Sequence, residues 1–524
     1  MSRLSKRFFL CHSRRLAGVA ALLVLDACTV GPNWQRPSQT GPTTLLPPTG
    51  EPAPSQAASA PFSPDWWSIF GDPELSSLEH RVADSNLDVA EATARLAGSR
   101  AQRRIIGADH YPSVDANASY ARERASPNGV LGLLGTTQQQ TPATVASGAP
   151  GFGPTSLPGA SGDPPFNLWQ YGFDASWELD RWGLVRRAVE ASDAEVEASA
   201  DMRRGVLVSV LAETARNYLQ LRGVQAHIAI TNQNLEIADH SLALTRLRFT
   251  NGATTNLDVA NAAAQVSTIR AGLPALQKEE AQLINALSFM LGAPPRAIAA
   301  ELVLSKPIPP VPLSVPVGLP SDIARQCPDI REAEARLHEA AARIGIAVAD
   351  FYPRITLSGS LDIQALQFSG LDTGDSRQYG FGPSISLPIF EGDRLHGTLE
   401  LRKSQQKQAA IVYQRTVLRA WHEVDDALTA YYTAQNQRIQ LQDAVQQNQI
   451  ALAAAQSQYI EGAADFLNVL SVQNRLLLTQ HALVQATADT DVALASLYKA
   501  LGGGWQQVFP TSTNSMERTK TTLN

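Results

Sequence analysis

Four segments of the chain alternate between apolar and polar positions over about ten residues each. They span residues 113–122, 171–180, 354–364 and 379–389. Alternation of this length is typical of a β-strand whose two faces meet different surroundings. An apolar outer face and a polar inner face suit a transmembrane barrel, but a soluble four-stranded sheet with one wet face gives the same pattern. The alternation therefore predicts four strands and leaves their surroundings open.

Two much longer segments have the composition of helices. Residues 184–248 and 395–459 contain no proline, few glycines and many alanine, leucine, glutamine and glutamate residues. Each would form about 100 Å of helix, a length that favours coiled packing over a globular domain. The helical pattern resumes after Gly252 and Gly462, so each glycine is expected at the tip of a long helical hairpin.

Short motifs recur in the same order along the chain, which indicates a duplication. Asp109-His110-Tyr111-Pro112 returns 241 residues later as Asp350-Phe351-Tyr352-Pro353. Arg248-Phe249-x-x-Gly252 returns 210 residues later as Gln458-Tyr459-x-x-Gly462. Each half is therefore predicted to hold a helix, two strands and one long hairpin.

The duplication divides the chain into two repeats. The first spans residues 65–292 and the second spans 321–502, with a linker at 293–320 and a C-terminal tail at 503–524. One copy supplies four strands, which cannot close a barrel, and lipid tolerates no open sheet edge. Three copies would supply twelve strands, so a homotrimer is expected if the strands cross a membrane.

The first 27 residues have the features of a bacterial signal peptide. Five Arg and Lys residues lie within residues 1–15, and 16–25 form an apolar run that is too short to span a bilayer. Leu25-Asp26-Ala27-Cys28 follows and resembles a lipobox, in which the signal is cut before a cysteine that is then acylated. Residues 1–27 are thus predicted to be the signal peptide and Cys28 the lipidation site. A plain secretory signal that ends near a cysteine is the alternative.

Two other stretches lack periodicity and are rich in proline, threonine, serine and glycine. Residues 28–64 are predicted to be an extended tether that follows the lipidated cysteine. Residues 123–168 join the first pair of strands and are predicted to be a long loop at the cell surface.

Composition and charge exclude several classes of protein. The net charge is -6, and removal of the basic first 27 residues, with a net charge of +4, leaves -10, which is unsuited to nucleic acid. Three cysteines provide neither a disulfide framework nor a cysteine zinc site. No apolar run reaches the ~18 residues of a membrane-spanning helix. Phosphate-loop, serine-hydrolase and zinc-protease motifs are absent, so we expect no enzyme activity, no metal and no cofactor beyond the lipid.

Several motifs along the mature sequence resemble those of one known family. They are the stretch from Cys28 to Pro37, Trp66-Trp67 with Asp72-Pro73, Pro328-Asp329-Ile330-Arg331, Phe351-Tyr352-Pro353 and the two hairpin tips. In this set the chain resembles the outer membrane efflux proteins, which are the TolC-like outer membrane factors of tripartite pumps. Within them it is most similar to the NodT-type lipoprotein branch.

The resemblance implies an α+β membrane protein. In the family, three copies of a duplicated strand and long-hairpin unit form a 12-stranded transmembrane β-barrel continuous with a periplasmic α-helical barrel, with an equatorial collar between. Such a duct passively conducts substrates from an inner-membrane pump and a periplasmic membrane fusion adaptor to the exterior. The implied partners are that adaptor, a proton-driven pump of the resistance-nodulation-division type, and outer-membrane lipid.

The resemblance also implies a constriction at the hairpin tips. Leu467 matches the apolar ring of the family's periplasmic aperture, and Asn468 and Ser471 fall where relatives often have aspartates. Asp465 is expected either to supply a ring of carboxylates in the trimer or to act as a solvated helix cap. Asp258 on the first tip is the alternative position for the constriction.

The tips are also the expected contact with the adaptor, through Gly252, Leu257, Gly462 and Leu467. One other class of protein stays open. An outer-membrane-anchored trimeric structural or adhesive coiled coil, without transport activity, would share the long helices. It would not need four alternating strands per chain.

Overall fold

The computed structural model describes residues 29–37, 56–58, 63–124, 165–310, 312, 314–316, 326–506 and 508–509. Its strands are β1 (Gln56–Ala58), β2 (Ser113–Glu123), β3 (Phe166–Glu178), β4 (Ser314–Pro316), β5 (Arg354–Ala365) and β6 (Arg377–Ser386). Its helices are α1 (Pro73–Ser85), α2 (Leu87–Ala108), α3 (Leu184–Thr250), α4 (Asn256–Met290), α5 (Ala299–Leu302), α6 (Pro328–Ala349), α7 (Arg394–Ile460) and α8 (Phe466–Ala500). The predicted signal peptide, Cys28 and most of the predicted surface loop lie outside the described residues.

The two halves of the chain repeat the same elements. Helices α2 and α6 each have 22 residues and begin 241 residues apart. Helices α3 and α7 each have 67 residues, and α4 and α8 each have 35, with both pairs offset by 210. These offsets equal those of the sequence motifs, which confirms the duplication and both predicted hairpins.

The four long strands form one antiparallel sheet in the order β2-β3-β5-β6. Two strand bounds differ from the prediction by three residues or more. Strand β3 begins at Phe166 instead of 171, because the end of β2 extends far enough to pair Glu123 with Phe166. Strand β6 ends at Ser386 instead of 389, because Ser386 pairs with Arg354, the first residue of β5. Strands β2 and β6 have no other partner in the described chain, so both edges of the sheet are open.

The predicted alternation places most large apolar residues of the sheet on one face, while Phe166 and Leu168 at the start of β3 lie on the other. The register sets Phe173 beside Leu361, and Leu361 beside Tyr379, so the apolar positions align across three strands. This face is exposed in the single chain, at Val114, Tyr120, Tyr171, Phe173, Leu357, Leu361, Tyr379, Phe381 and Ile385. An exposed apolar surface of this extent marks an interaction with a membrane or a partner.

The chain divides into two compact units. The strand-bearing unit comprises the described parts of residues 1–33, 102–192 and 341–404, and it contains the whole four-stranded sheet. The helical unit comprises the described parts of 34–101, 193–340 and 405–524. Its main core contains Trp66, Phe70, Tyr218, Leu494 and Tyr498 among other buried residues, and a second core lies near the hairpin tips.

A buried arginine organises the main core of the helical unit. Arg222 of α3 is fully buried, and its guanidinium donates to Glu74 Oε2 at 2.8 Å, to Gln225 Oε1 at 2.7 Å and to the Leu304 carbonyl oxygen at 2.9 Å. Tyr218 lies beneath the guanidinium, with its ring centroid 4.8 Å away. These bonds hold α1 and the segment after α5 against α3.

Asp72 and Pro73 begin α1. Asp72 is the N-cap residue, and its Oδ1 accepts from the backbone N–H groups of Glu74 and Leu75 at 2.8 and 3.3 Å. Pro73 occupies the first helical position, where a missing N–H costs nothing. Both residues are therefore structural.

Residues 29–33 contact the strand-bearing unit closely. The backbone N–H of Val30 donates to the Trp182 carbonyl oxygen at 3.1 Å. The buried guanidinium of Arg187 donates to the Val30 carbonyl oxygen at 3.3 Å and to Asn33 Oδ1 at 2.9 Å. This part of the predicted tether is therefore bound to the protein.

Residues 34–37 are bound within the helical unit. The Trp34 ring stacks on His338 with centroids 4.8 Å apart, and Arg36 Nη2 donates to Glu334 Oε2 at 2.9 Å. Further along, β1 pairs in parallel with β4, which lies inside the predicted linker 293–320. The prediction of a tether over 28–64 is thus wrong for the described residues 29–37 and 56–58, because aromatic stacking, ion pairing and strand pairing hold them.

Replacement of Arg222 tests the importance of the buried network. Arg222→Ala should lower the free energy of unfolding by ~3–5 kcal/mol, because it removes a fully buried side chain with its bonds to Gln225 and Leu304 and leaves the partly buried Glu74 with Lys306 as its remaining ion-pair partner. Arg216→Ala is the matched control on the same helix, since Arg216 pairs with Glu213 at the surface and should cost at most ~1 kcal/mol. Urea unfolding of the detergent-solubilised protein measures both, and equal losses would contradict the assignment.

Candidate gate at the hairpin tips

Each hairpin turns at a glycine with a left-handed backbone. Gly252 has φ 73° and Gly462 has φ 74°, a conformation that side chains with a Cβ rarely adopt. At the first tip, Ala253 N–H donates to the Arg248 carbonyl oxygen at 2.8 Å and Gly252 N–H donates to that of Phe249 at 2.9 Å. The same pair of bonds recurs around Gly462. This helix ending explains why the glycine is repeated in both halves.

The first tip is closed by a capping box that the sequence analysis missed. The Thr255 hydroxyl caps α4, and Asp258 Oδ2 accepts from the backbone N–H of Thr255 at 3.1 Å. The hydroxyls of Thr254 and Thr255 also donate to Asp258 Oδ2, at 2.6 and 2.8 Å. These bonds, led by that from Thr254, lower the pKa of Asp258. The spacing Thr-x-x-Asp was the available signal.

The second tip has a different beginning. Asp465 occupies the N-cap position of α8, but its side chain accepts no capping hydrogen bond. Asp465 is therefore at the predicted helix-cap position, but its side chain does not cap the helix. The Asp465 carboxylate is exposed, as are Leu467, Asn468 and Ser471 on the first turns of α8. The four predicted aperture residues of this tip are thus all accessible from outside the chain.

Burial separates the predicted contact residues from the packing residues of the tips. The side chains of Leu257 and Leu467 are 63% and 54% exposed, although both are large and apolar. Phe466 and Val469, which flank Leu467, are buried in the core near the tips. The two exposed leucines occupy equivalent positions in the repeats and are available to a partner.

An arginine connects the two tips. Arg248 Nη1 donates to the Tyr459 carbonyl oxygen at 2.7 Å, and its guanidinium lies 4.5 Å above the centre of the Tyr459 ring. The Tyr459 ring in turn packs against Phe466 with centroids 5.5 Å apart. Arg248 lies near the end of α3 in the first repeat and Tyr459 lies near the end of α7 in the second, so this contact joins the two repeats. The sequence alone did not show that Arg248 contacts Tyr459, because both residues belong to the repeated motif and no pattern there pairs them.

A partly open groove lies beside the tips. It has a volume of about 260 Å³ and is lined mainly by apolar side chains of α3, α7 and α8, including Leu244, Ile460, Phe466 and Val469. Packing near the tips is therefore incomplete in the single chain.

The described residues offer no metal centre and no spanning helix. No group of three or more His, Cys, Asp and Glu side chains is placed to bind a metal ion in the described ranges. Within those same ranges, no helix has both the length and the apolar character required to cross a membrane.

Long helical hairpins in tandem with an antiparallel sheet that exposes an apolar face define a class of protein, the outer-membrane channels with helical tunnels. The sequence model of the outer membrane efflux protein family matches residues 78–293 and 319–503. The chain therefore belongs to the outer membrane efflux protein family.

Individual relatives agree along nearly the full chain. The chain is 30% identical to outer membrane protein OprJ of Pseudomonas aeruginosa, over 94% of this chain and 96% of OprJ. It is 28% identical to the probable outer membrane lipoprotein SilC of Salmonella typhimurium, over 94% and 99% of the two chains. The solved outer-membrane channel OprN superposes with a TM-score of 0.80 at 30% identity, over 91% of this chain and 100% of OprN.

These findings confirm the predicted fold class, function and localisation. The chain has the α+β fold of the TolC-like outer-membrane channels. It is an outer-membrane exit channel of a tripartite efflux system. Its relatives are channel and efflux proteins, as expected for a chain without enzyme motifs.

The capping box predicts a difference between the two tips. Asp258→Ala should lower the hydrogen-exchange protection of the first turn of α4 about fivefold, which corresponds to a capping loss of ~1 kcal/mol. Because the pKa of Asp258 is lowered in the folded protein, this stabilisation should persist above the ordinary Asp pKa and disappear as the pH falls through the folded value.

The control is Asn468→Ala, at the equivalent position of the second repeat. No side-chain cap closes α8, so the protection of its first turn should stay unchanged. Equal losses at both tips would show that Asp258 does not act as a cap.

Proposed function

We propose that three copies of the chain close a common barrel and form one continuous duct. The observation that supports this is the pair of open edges, β2 and β6, on a sheet whose apolar face is exposed. Lipid provides no hydrogen bonds for unpaired backbone groups, so β2 of one copy must pair with β6 of the next. Twelve strands in total lie within the range of known transmembrane barrels.

The other face of the sheet suits the inside of a water-filled duct. Strand pairing places Asp115 directly opposite Asp174, and Asp362 lies further along the same face. Serine side chains border these acids at Ser176, Ser358, Ser360 and Ser384, and together they line a concave pocket of about 580 Å³. Such a face favours hydrated solutes, as passive conduction through the duct requires.

The periplasmic aperture is proposed to lie at the hairpin tips. Three copies would bring Leu467 into an apolar ring, with Asp465, Asn468 and Ser471 beside it. Asp258 is proposed to shape the first tip as a cap, since its carboxylate is held by Thr254 and Thr255. The Arg248 contact with Tyr459 is placed to hold the tips of the two repeats together in the closed duct.

The tips are also the proposed contact with the periplasmic membrane fusion adaptor. Gly252 and Gly462 expose turning backbone, and Leu257 and Leu467 expose apolar side chains at equivalent positions. An adaptor that covers both leucines would bury apolar area and could separate the tips at the same time. The pump behind the adaptor is proposed to be a proton-driven one of the resistance-nodulation-division type.

Cys28 is proposed to anchor each copy to the outer membrane by its lipid. The similarity to the lipoprotein SilC supports this proposal, together with the lipobox pattern Leu25-Asp26-Ala27-Cys28. The contacts of Val30 and Asn33 with the strand-bearing unit begin directly after the cysteine, so the anchor is attached to the body of the protein by a short, bound segment.

Leu467→Ser should raise the resting conductance of the duct in planar bilayers, because a smaller polar side chain widens and wets an apolar constriction. Leu478→Ser is the matched control. Leu478 is 70% exposed on the same helix but lies further from the tip, so its replacement should leave the conductance unchanged. Equal conductance of wild type and Leu467→Ser would place the constriction elsewhere, and no conductance in the wild type would contradict the duct itself.

Cys28→Ala should abolish the incorporation of labelled palmitate, since acylation requires the thiol of this cysteine. Cys11→Ala is the control, because Cys11 lies in the predicted signal peptide and its replacement should leave labelling intact. Label that persists in Cys28→Ala would refute the lipidation site. The barrel can still insert without the lipid, so conductance is expected to be retained.

A further inference from the structure

Two histidines from different repeats meet inside the helical unit. His227 of α3 and His481 of α8 have their Nδ1 atoms 3.0 Å apart. Their ring centroids are 4.9 Å apart, and the rings are inclined by 67°. Neither residue belongs to the repeated motifs or to the tips, and the contact connects the first hairpin to the second.

The hydrogen bonds around the pair assign its tautomers. Two neutral imidazoles share one N–H···N bond, so one Nδ1 donates and the other accepts. With His227 Nδ1–H as the donor, His481 has its proton on Nε2, which then donates to Thr231 Oγ1 at 3.2 Å. The Thr231 hydroxyl itself donates to the His227 carbonyl oxygen at 2.8 Å. In the opposite assignment the proton of His227 would lie on its Nε2, a buried atom with no hydrogen-bond partner in the described structure.

The neutral pair therefore has no favourable place for another proton. A proton on His227 Nε2 would be buried without an acceptor. A proton on His481 Nδ1 would remove the acceptor of the shared bond and bring two N–H groups together. Either addition also puts a positive charge in a partly buried site beside a second imidazole.

No carboxylate among the described residues raises the pKa of either imidazole. Beside the pair, Asn234 Nδ2 of α3 donates to Gln480 Oε1 of α8 at 2.9 Å, and Asn448 of α7 donates to Thr479 Oγ1 at 3.1 Å. Both contacts are uncharged. On α4, Glu280 accepts from Gln225 Nε2 at 3.0 Å, and its neighbours Lys278 and Glu279 are exposed.

We propose that the His227–His481 pair is a pH-sensitive contact that holds α3 and α8 together when neutral and releases them when the periplasm becomes acidic. Release at this level would loosen the two hairpins between the core and the tips. The inference concerns the contact itself and holds whether or not the tips form the aperture.

The titration properties of the pair agree with this direction. Burial, reinforced by the nearby His481, lowers the pKa of His227 to about 4, and burial lowers the pKa of His481. Conformers in which His227 is solvated would regain the ordinary value of about 6.5. Because the contact disfavours the protonated form, its stability is complete above about pH 6.5 and falls as the pH decreases towards 4. Between pH 7.5 and 5.0 this difference favours the released form by at most about 30-fold, because water screens part of the charge on a partly exposed imidazole.

Hydrogen exchange of the full-length protein in detergent tests the proposal. Peptides that cover residues 224–231 and 478–484 should lose up to about 30-fold of their protection between pH 7.5 and 5.0, after correction for the intrinsic exchange rate. Wild-type protection that is independent of pH in both peptides would overturn the proposal without the use of any variant.

Variants identify the group responsible. His227→Gln and His481→Gln keep a hydrogen-bonding side chain but cannot take up a proton, so the change with pH should shrink to less than about threefold. His422→Gln, at an exposed histidine of α7, should retain the wild-type change. A full pH response in both pair variants would show that other groups cause it.

Discussion

The unpaired edges of the four-stranded sheet are the constraint on which the structure depends. Each open strand exposes backbone N–H and C=O groups, which is costly in lipid, yet the apolar face of the sheet requires an apolar environment. Pairing between copies satisfies both requirements at once. The duplication serves the same end. Each repeat supplies two strands and one hairpin, so every added copy brings strands and long helices in equal proportion.

Local patterns were sufficient to predict most of this architecture. The strands have a two-residue alternation because their faces meet different surroundings, and the register aligns Phe173, Leu361 and Tyr379 as that alternation requires. The long helices were recognisable because no proline interrupts α3 or α7, and the tips because Gly252 and Gly462 alone provide a left-handed turn there. The equal lengths of α4 and α8 show that the repeat extends well beyond its short sequence motifs.

Contacts between distant parts of the chain were not predictable in the same way. The proline-rich segment after Cys28 has the composition of a linker, but Arg187 and Glu334 bind it to the protein from far along the sequence. The link between Arg248 and Tyr459 and the pair of His227 with His481 also join different repeats. Only tertiary structure reveals these partners. The capping role of Asp258 is readable from Thr255, three residues earlier, because Thr-x-x-Asp is the spacing of a capping box.

Disulfide trapping between the two sheet edges tests the central claim most directly. One cysteine replaces Asn117 of β2, and a second is moved residue by residue along β6. Within one sheet these strands lie about 14 Å apart, three strand spacings, which is too far for a disulfide. Pairing between copies predicts covalent trimers in isolated outer membranes, strongest at β6 positions that face Asn117. Monomers at every position, under oxidising conditions that form disulfides elsewhere, would contradict the closed barrel.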